Sequence, residues 1–242
     1  MNESTLSTAG DWAREVVPAG PTTTTPRVAS HGDRRVATTL ATALVAGPLA
    51  MTAWFLVEPS VLPREDPEVF LTSVASSPLR YLIGTGLVGL SGLAGLIAAV
   101  ALARVLGRRL PRLGIAVGIL TFLSGAGLLV QVGFRSFVWS LVEQGSVPGS
   151  SIASYDRFQT GGLFEVLVAP GLVFGGVATL LTVGALLRTR LVPLWVPAAM
   201  VGAMVLSSGE FADPVTVAGA ALGAAANLVL ARQLFRPGDG RV

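Results

Sequence analysis

The chain has 242 residues, of which 52% are hydrophobic and 13% are charged. Soluble domains carry about 25% charged residues, so the composition argues against a water-soluble globule and favours a protein that folds in lipid. There is no cysteine, and His31 is the single histidine. Disulfides, thiolate metal sites, histidine-based metal sites and a Ser-His triad are therefore excluded, and no metal or cofactor is expected.

The first 35 residues are rich in Ser, Thr, Pro and Gly and include the run PTTTTP at 21–26. Such a segment has too little apolar surface to offset its chain entropy. It also lacks the charged and then apolar start of an ordinary signal peptide. The sequence predicts a disordered cytoplasmic tail over 1–35.

Six apolar stretches follow, each free of ionisable residues and bordered by them. A hydrocarbon core about 30 Å thick needs roughly 20 apolar residues in a helix, and helices satisfy their own backbone groups in lipid. The fold class predicted is all-α, a polytopic membrane protein with six transmembrane helices in a bundle over 36–235 and a cytoplasmic tail over 236–242. The predicted spans are 36–57, 81–103, 113–134, 166–187, 191–209 and 214–231.

Arginine placement predicts the orientation, since cytoplasmic loops carry an excess of basic residues. Most arginines fall in the tails and in the 104–112 and 188–190 turns, whereas Arg64, Arg80, Arg135 and Arg157 fall on the opposite side. This pattern predicts a multi-pass protein of the cell membrane with both termini in the cytoplasm. It also accounts for the basic balance of the chain, so nucleic acid is not expected as a partner.

Small residues mark the expected contacts between helices, because lipid supplies no hydrophobic drive for association. The second span repeats glycine at Gly86, Gly89, Gly92 and Gly95. We interpret this stripe as a tight static packing surface, with a sliding or gating surface as the alternative. Three GxxxG pairs carry the same prediction: Gly114 and Gly118, Gly171 and Gly175, Gly219 and Gly223.

The predicted outer ends of the six spans each carry one charged residue, and together these would form a polar rim. Its members are Glu58, Arg80, Arg135, Glu165, Glu210 and Asp213. A structural role through helix capping, snorkelling or arginine–carboxylate pairing is one interpretation, and contact with a ligand or substrate is the other.

Two outer loops add surface to this side. A short apolar run after Glu65-Asp66-Pro67-Glu68 predicts a helix lying at the interface, and its acids do not form a calcium loop. The longer loop, 136–162, carries Trp139, Tyr155 and Phe158. These rings are expected to anchor at headgroup depth, with a lid over an outer pocket as the alternative.

The hairpin joining the fourth and fifth spans reads LLRTRLVPLWVPAAMVGAMVL over 186–206. It resembles a large bacterial family of uncharacterised six-helix integral membrane proteins, in which a basic turn precedes a Leu-Val-Pro-x-Trp helix start. Arg188, Arg190, Pro193 and Trp195 fit the pattern, and Thr189 stands where serine is common. The resemblance implies a six-span domain of unknown function and brings no functional residues with it.

Two function classes stay open. The first is a non-enzymatic membrane component, which is a small transporter, a permease-like subunit or a membrane partner; the spans contain none of the acids or histidines that proton relays place at mid-membrane. The second is an intramembrane enzyme acting on an isoprenoid or lipid, with Glu58 and Asp213 as candidate catalytic acids. Expected partners are the lipid bilayer and, as alternatives, another membrane protein or a second copy of the chain.

Overall fold

The structure is a computed structural model that describes residues 31–57, 66–142, 146–206 and 213–235. Within these ranges every regular element is helical, which confirms the predicted all-α bundle. The helices are α1 His31–Val57, α2 Pro67–Ser76, α3 Pro78–Gly107, α4 Pro111–Leu141, α5 Gly149–Thr160, α6 Leu163–Thr189, α7 Trp195–Leu206 and α8 Asp213–Arg232, and a 3-10 turn follows at Gln233–Phe235.

Five of these helices, α1, α3, α4, α6 and α8, are long and apolar enough to cross a membrane. They coincide with the first, second, third, fourth and sixth predicted spans. Proline stands at the first helical positions of α3 and α4, where its missing N–H removes a donor that would have no partner within the helix. The chain is a multi-pass membrane protein.

The fifth predicted span, 191–209, differs most from the structure. Residues 190–194 form a turn, α7 covers 12 residues, and 207–212 lie outside the described residues. A helix of this length measures about 18 Å, compared with about 30 Å for the hydrocarbon core. A sixth crossing at this position therefore stays a prediction.

The two tails fall largely outside the described residues, which begin at 31 and end at 235. The helix α1 begins at His31, five residues before the predicted start of the first span. The interfacial helix predicted after Asp66 corresponds to α2. The Asp66 carboxylate caps α2 by accepting hydrogen bonds from the backbone N–H groups of Glu68 at 2.8 Å and Val69 at 3.4 Å.

The membrane helices and α7 form a closed ring in which chain neighbours are also neighbours in space. Around the ring, α1 packs on α3, α3 on α4, α4 on α6, α6 on α7, α7 on α8, and α8 returns to α1. The two halves of the chain, α1–α3–α4 and α6–α7–α8, therefore meet along two seams, α4 against α6 and α8 against α1.

Glycines allow the closest approaches between helices. A Cβ atom added at Gly127 of α4 would lie 2.5 Å from the Gly171 Cα atom of α6, and one added at Gly125 would lie 2.9 Å from the Gly92 carbonyl oxygen of α3. Contacts this short leave no room for a side chain, so the backbones themselves touch at these points.

The glycines of the predicted GxxxG pairs lie at helix contacts. Gly114 and Gly118 face α3, where added Cβ atoms would meet Gly107 at 2.6 Å and Ala103 at 3.0 Å. Gly171 faces Gly127, Gly175 faces the Ser124 hydroxyl, and Gly223 faces the Ala203 methyl. Gly219 is buried. In the α3 stripe, Gly89, Gly92 and Gly95 face α4, whereas Gly86 faces open space.

Two apolar clusters occupy the two ends of the bundle. One draws on α1, α3, α4, α6, α7 and α8 and includes Leu106, Val117, Leu186, Val196 and Leu230, each at most 1% exposed. It lies beside the arginine-rich turns, and we call this end the basic end. The other cluster joins α2 and α5 to α3 and α4, and we call that end the capped end.

Candidate functional site at the capped end

A buried arginine lies at the capped end of the bundle. Arg135 of α4 is 4% exposed, although arginine is almost never fully buried unless it is paired. Burying an unpaired charge costs several kcal/mol, so such a side chain needs hydrogen bonds and favourable electrostatics around it. Its described partners come from two other helices, α3 and α1.

The α3 partners are Tyr81 and Thr85, which are one helical turn apart. The Arg135 Nε donates to the Thr85 hydroxyl at 2.9 Å, and the Thr85 hydroxyl donates to the Tyr81 carbonyl oxygen at 2.8 Å. The Arg135 Nη2 also donates to that carbonyl, at 3.4 Å. Thr85 therefore orients the guanidinium by accepting a hydrogen bond from it, while its own hydroxyl proton is donated to the Tyr81 carbonyl.

Two aromatic rings also lie close to the guanidinium. The Arg135 Cζ atom lies 4.3 Å from the centre of the Tyr81 ring and 5.9 Å from the Trp54 ring of α1. Cations within about 6 Å of a ring face are attracted by its quadrupole, and more strongly where water is excluded. We call Arg135, Tyr81, Thr85 and Trp54 the Arg135 cluster.

An aromatic layer from α2, α4 and α5 lies beside this cluster. Tyr155 of α5 is fully buried and packs on Phe70 of α2 with ring centres 5.3 Å apart, and on Phe134 at 6.3 Å. Burial raises the pKa of the Tyr155 hydroxyl well above its usual value, and the hydrogen bond with Gln159 offsets this in part. The expectation that Tyr155 anchors at the headgroups is wrong, because the ring lies inside the protein.

The basic end contains the turn that carries the family resemblance. Arg190 ends α6 in the left-handed region, with φ 50°, and its N–H donates to the Leu186 carbonyl at 2.9 Å. Arg109, from the turn between α3 and α4, donates from Nη1 to the Thr189 carbonyl at 2.8 Å. This hydrogen bond joins the first half of the chain to the second.

A family model described as a domain of unknown function, DUF4386, matches residues 38–234. The chain belongs to the DUF4386 family. The match confirms the predicted membership of an uncharacterised family. No curated protein matches the chain, and no solved structure matches it. The DUF4386 range includes both the Arg135 cluster and the turn at the basic end.

The other predicted rim residues of this DUF4386 protein are only partly described. Arg80 is exposed in the first turn of α3, directly before the buried Tyr81. Glu165 lies in the first turn of α6 and Asp213 at the start of α8. Glu58 and Glu210 lie outside the described residues. Among the described residues, no group of three His, Asp or Glu side chains is arranged to hold a metal.

Sequence reasoning missed three members of the Arg135 cluster, Trp54, Tyr81 and Thr85. The search for chemistry considered residues that are charged at neutral pH, and these three are neutral. A usable signal is present in α3, where Tyr81 and Thr85 share one helix face within the first two turns. Polar side chains four residues apart near a helix end identify the face on which a buried cation finds its partners.

Proposed function

We propose that this chain is a non-enzymatic component of a bacterial cell membrane, a small transporter or permease-like subunit that binds an anionic group at the Arg135 cluster. The observation that carries the proposal is the buried Arg135 guanidinium, held by Thr85 and faced by Tyr81. Ionisable side chains inside a membrane bundle are costly and commonly mark ligand or ion pathways.

The surroundings of Arg135 favour an organic anion as the ligand. A guanidinium matches the geometry of carboxylate and phosphate groups, and the hydrogen bonds that it donates are stronger where water is excluded. The rings of Tyr81 and Trp54 present apolar faces next to the charge. The proposed ligand therefore has one anionic group, which pairs with Arg135, and an apolar body, which packs on the rings.

Binding is tested on the purified full chain in neutral detergent by thermal unfolding with acetate, succinate or inorganic phosphate as probes. We expect at least one probe to raise the Tm of the wild type and of Arg80→Gln, an exposed arginine near the same end. We expect Arg135→Gln to lose the shift. Arg135→Lys keeps the positive charge, and Thr85→Val removes only a hydroxyl. Both variants should remain folded and show a smaller Tm shift than the wild type.

Transport is tested in cells that lack their own copy and are complemented with the wild type or Arg135→Lys. Solutes in cells and medium are compared by mass spectrometry. Wild-type complementation should change the distribution of at least one organic anion, and Arg135→Lys should not. Identical solute pools with and without the wild type, together with no shift from any probe, would refute the proposal. New lipid species that require Glu58 and Asp213 would support an enzyme instead.

The proposed orientation places the basic end in the cytoplasm, with both termini on that side. It rests on the arginines of the 104–112 and 188–190 turns. A phosphatase reporter that is active only outside the cytoplasm, inserted between Arg108 and Arg109, should stay silent. A bright reporter there would reverse the assigned orientation.

A further inference from the structure

A groove at the basic end is lined by three arginines. It has a volume of about 400 Å³ and lies between the start of α4 and the end of α6. Its walls are Arg109, Leu110, Pro111, Arg112, Leu113 and Arg188. The α3–α4 turn, the start of α4 and the end of α6 therefore bring three arginines from the two halves of the chain to one concave surface.

The three arginines of the groove differ in their contacts. Arg109 donates to the Thr189 carbonyl and so fixes one wall of the groove. Arg112 and Arg188 are exposed, and neither forms a hydrogen bond or ion pair with any other residue that the structure describes. Their donors are available to a ligand, and the α4 N-terminus beside them adds a partial positive charge.

An apolar track leads away from the groove along both helices. On α4, Ile115 and Ile119 lie one and two turns after Arg112 on the same face and are 61% and 57% exposed. On α6, Leu180 lies about two turns before Arg188 and is 52% exposed. The floor itself contains the half-buried Leu110 and Leu113. Cationic groups at the end of an exposed apolar surface are complementary to an amphipathic anion.

We infer that this groove binds the phosphate headgroup of an anionic phospholipid, with Arg112 and Arg188 on the phosphate and the acyl chains along α4 and α6. Basic pockets between membrane helices recognise such headgroups through charge and hydrogen bonding. The site is separate from the Arg135 cluster and belongs to the opposite end of the bundle. It serves to anchor the α4–α6 seam to one class of lipid.

The test is native mass spectrometry of the full chain in neutral detergent, titrated with phosphatidylglycerol or phosphatidylcholine of the same acyl chains. The wild type should retain phosphatidylglycerol in preference to phosphatidylcholine. Each arginine near an anionic headgroup contributes about 1 kcal/mol, a factor of about five, so Arg112→Gln with Arg188→Gln should weaken phosphatidylglycerol binding at least about tenfold. Arg112→Lys with Arg188→Lys should retain most of the binding.

The matched control removes the same charge elsewhere at this end. Arg34 and Arg232 are exposed and do not line the groove. Arg34→Gln with Arg232→Gln should bind phosphatidylglycerol as the wild type does. Equal loss in both double variants, or equal retention of the two lipids by the wild type, would overturn the inference. Displacement of the lipid by an equal concentration of inorganic phosphate would show a free-phosphate site and overturn the lipid assignment.

Discussion

The guanidinium of Arg135 in α4 lies over the ring of Tyr81 in α3, with 4.3 Å between the Cζ atom and the ring centre. The same guanidinium donates to the Tyr81 carbonyl, so one residue of α3 contacts the charge through both its ring and its backbone. The backbone contact does not depend on the side chain at position 81, whereas the ring contact requires an aromatic residue there.

Tyr81→Leu should therefore destabilise the protein more than Tyr81→Phe, which keeps the ring. A desolvated cation–π contact is worth about 1–2 kcal/mol, and we expect a difference of that size between the two variants. The measurement is thermal or denaturant unfolding in detergent, with tryptophan fluorescence as the signal. Equal losses in the two variants would show that the ring face does not stabilise the buried charge.

Gly127→Ala should disrupt the seam between α4 and α6. The new methyl would lie 2.5 Å from the Gly171 Cα atom and 2.9 Å from its nitrogen, so the two backbones must separate. Overpacking of this kind costs about 1–3 kcal/mol. The matched control is Gly133→Ala on the same helix, where an added Cβ meets nothing within 4 Å.

Gly133→Ala should be neutral or stabilise the protein by up to about 1 kcal/mol, because alanine favours helix over glycine. Circular dichroism during a detergent unfolding titration measures both variants. If Gly127→Ala unfolds at the same point as Gly133→Ala, the close contact at Gly171 is not part of the folded protein.

Removal of either of two hydroxyls one turn apart on α4 should have different effects on stability. Among the described residues, the buried Thr121 hydroxyl has no hydrogen-bond partner, whereas the Ser124 hydroxyl donates to the Gly171 carbonyl at 2.9 Å. Thr121→Val should leave stability unchanged or raise it, because it removes a buried polar group of nearly the same shape.

Ser124→Ala should cost about 1 kcal/mol, the typical net value of an intramolecular hydrogen bond. Both variants are compared with the wild type by unfolding in the same detergent. A larger loss for Thr121→Val than for Ser124→Ala would contradict this assignment of partners.

Tyr155 should make the protein sensitive to alkali. Burial raises the pKa of its hydroxyl in the folded state above the usual value of 10.0. The folded state therefore favours the neutral phenol, and the resulting stabilisation is complete below about pH 10 and declines as the pH rises above it. Tyr155→Phe cannot ionise.

The stability difference between the wild type and Tyr155→Phe should shift in favour of the variant as the pH rises from 9 to about 11. Unfolding at a series of pH values measures this difference directly. A constant difference across that range would show that Tyr155 ionises as readily in the folded protein as in the unfolded chain.

The membrane helices were predictable because an uncharged run of about 20 residues has few stable alternatives in lipid. Using ionisable residues as borders ended the third span at Phe134, whereas α4 continues through Arg135 to Leu141. A charge can lie inside a helix once tertiary contacts surround it. The spacing of Tyr81 and Thr85 places them on one face of α3, but no local pattern shows that they and Trp54 contact Arg135.

Helix α5 and the burial of its Tyr155 were not predicted from the sequence, which was interpreted as a loop over 136–162. The segment 149–160 begins with Gly and Ser and consists mostly of small or polar residues, a composition that is typical of a loop. Packing of Tyr155 on Phe70 and Phe134 overrides that local preference. Long-range ring contacts of this kind are visible only once α2, α4 and α5 are brought together.

The Arg108–Arg109 turn contacts the second half of the chain at two places, the end of α6 and the turn after α8. Arg109 donates to the carbonyl of Thr189, the last residue of α6, and Arg108 donates from Nη1 to the Gln233 carbonyl after α8 at 3.3 Å. Any rotation of one half against the other that keeps these two bonds must pivot about this turn. Tyr81 lies 27 residues before Arg108 along α3, which is about 40 Å at the rise of an α-helix. A small rotation about the turn would therefore produce large displacements at the Arg135 cluster.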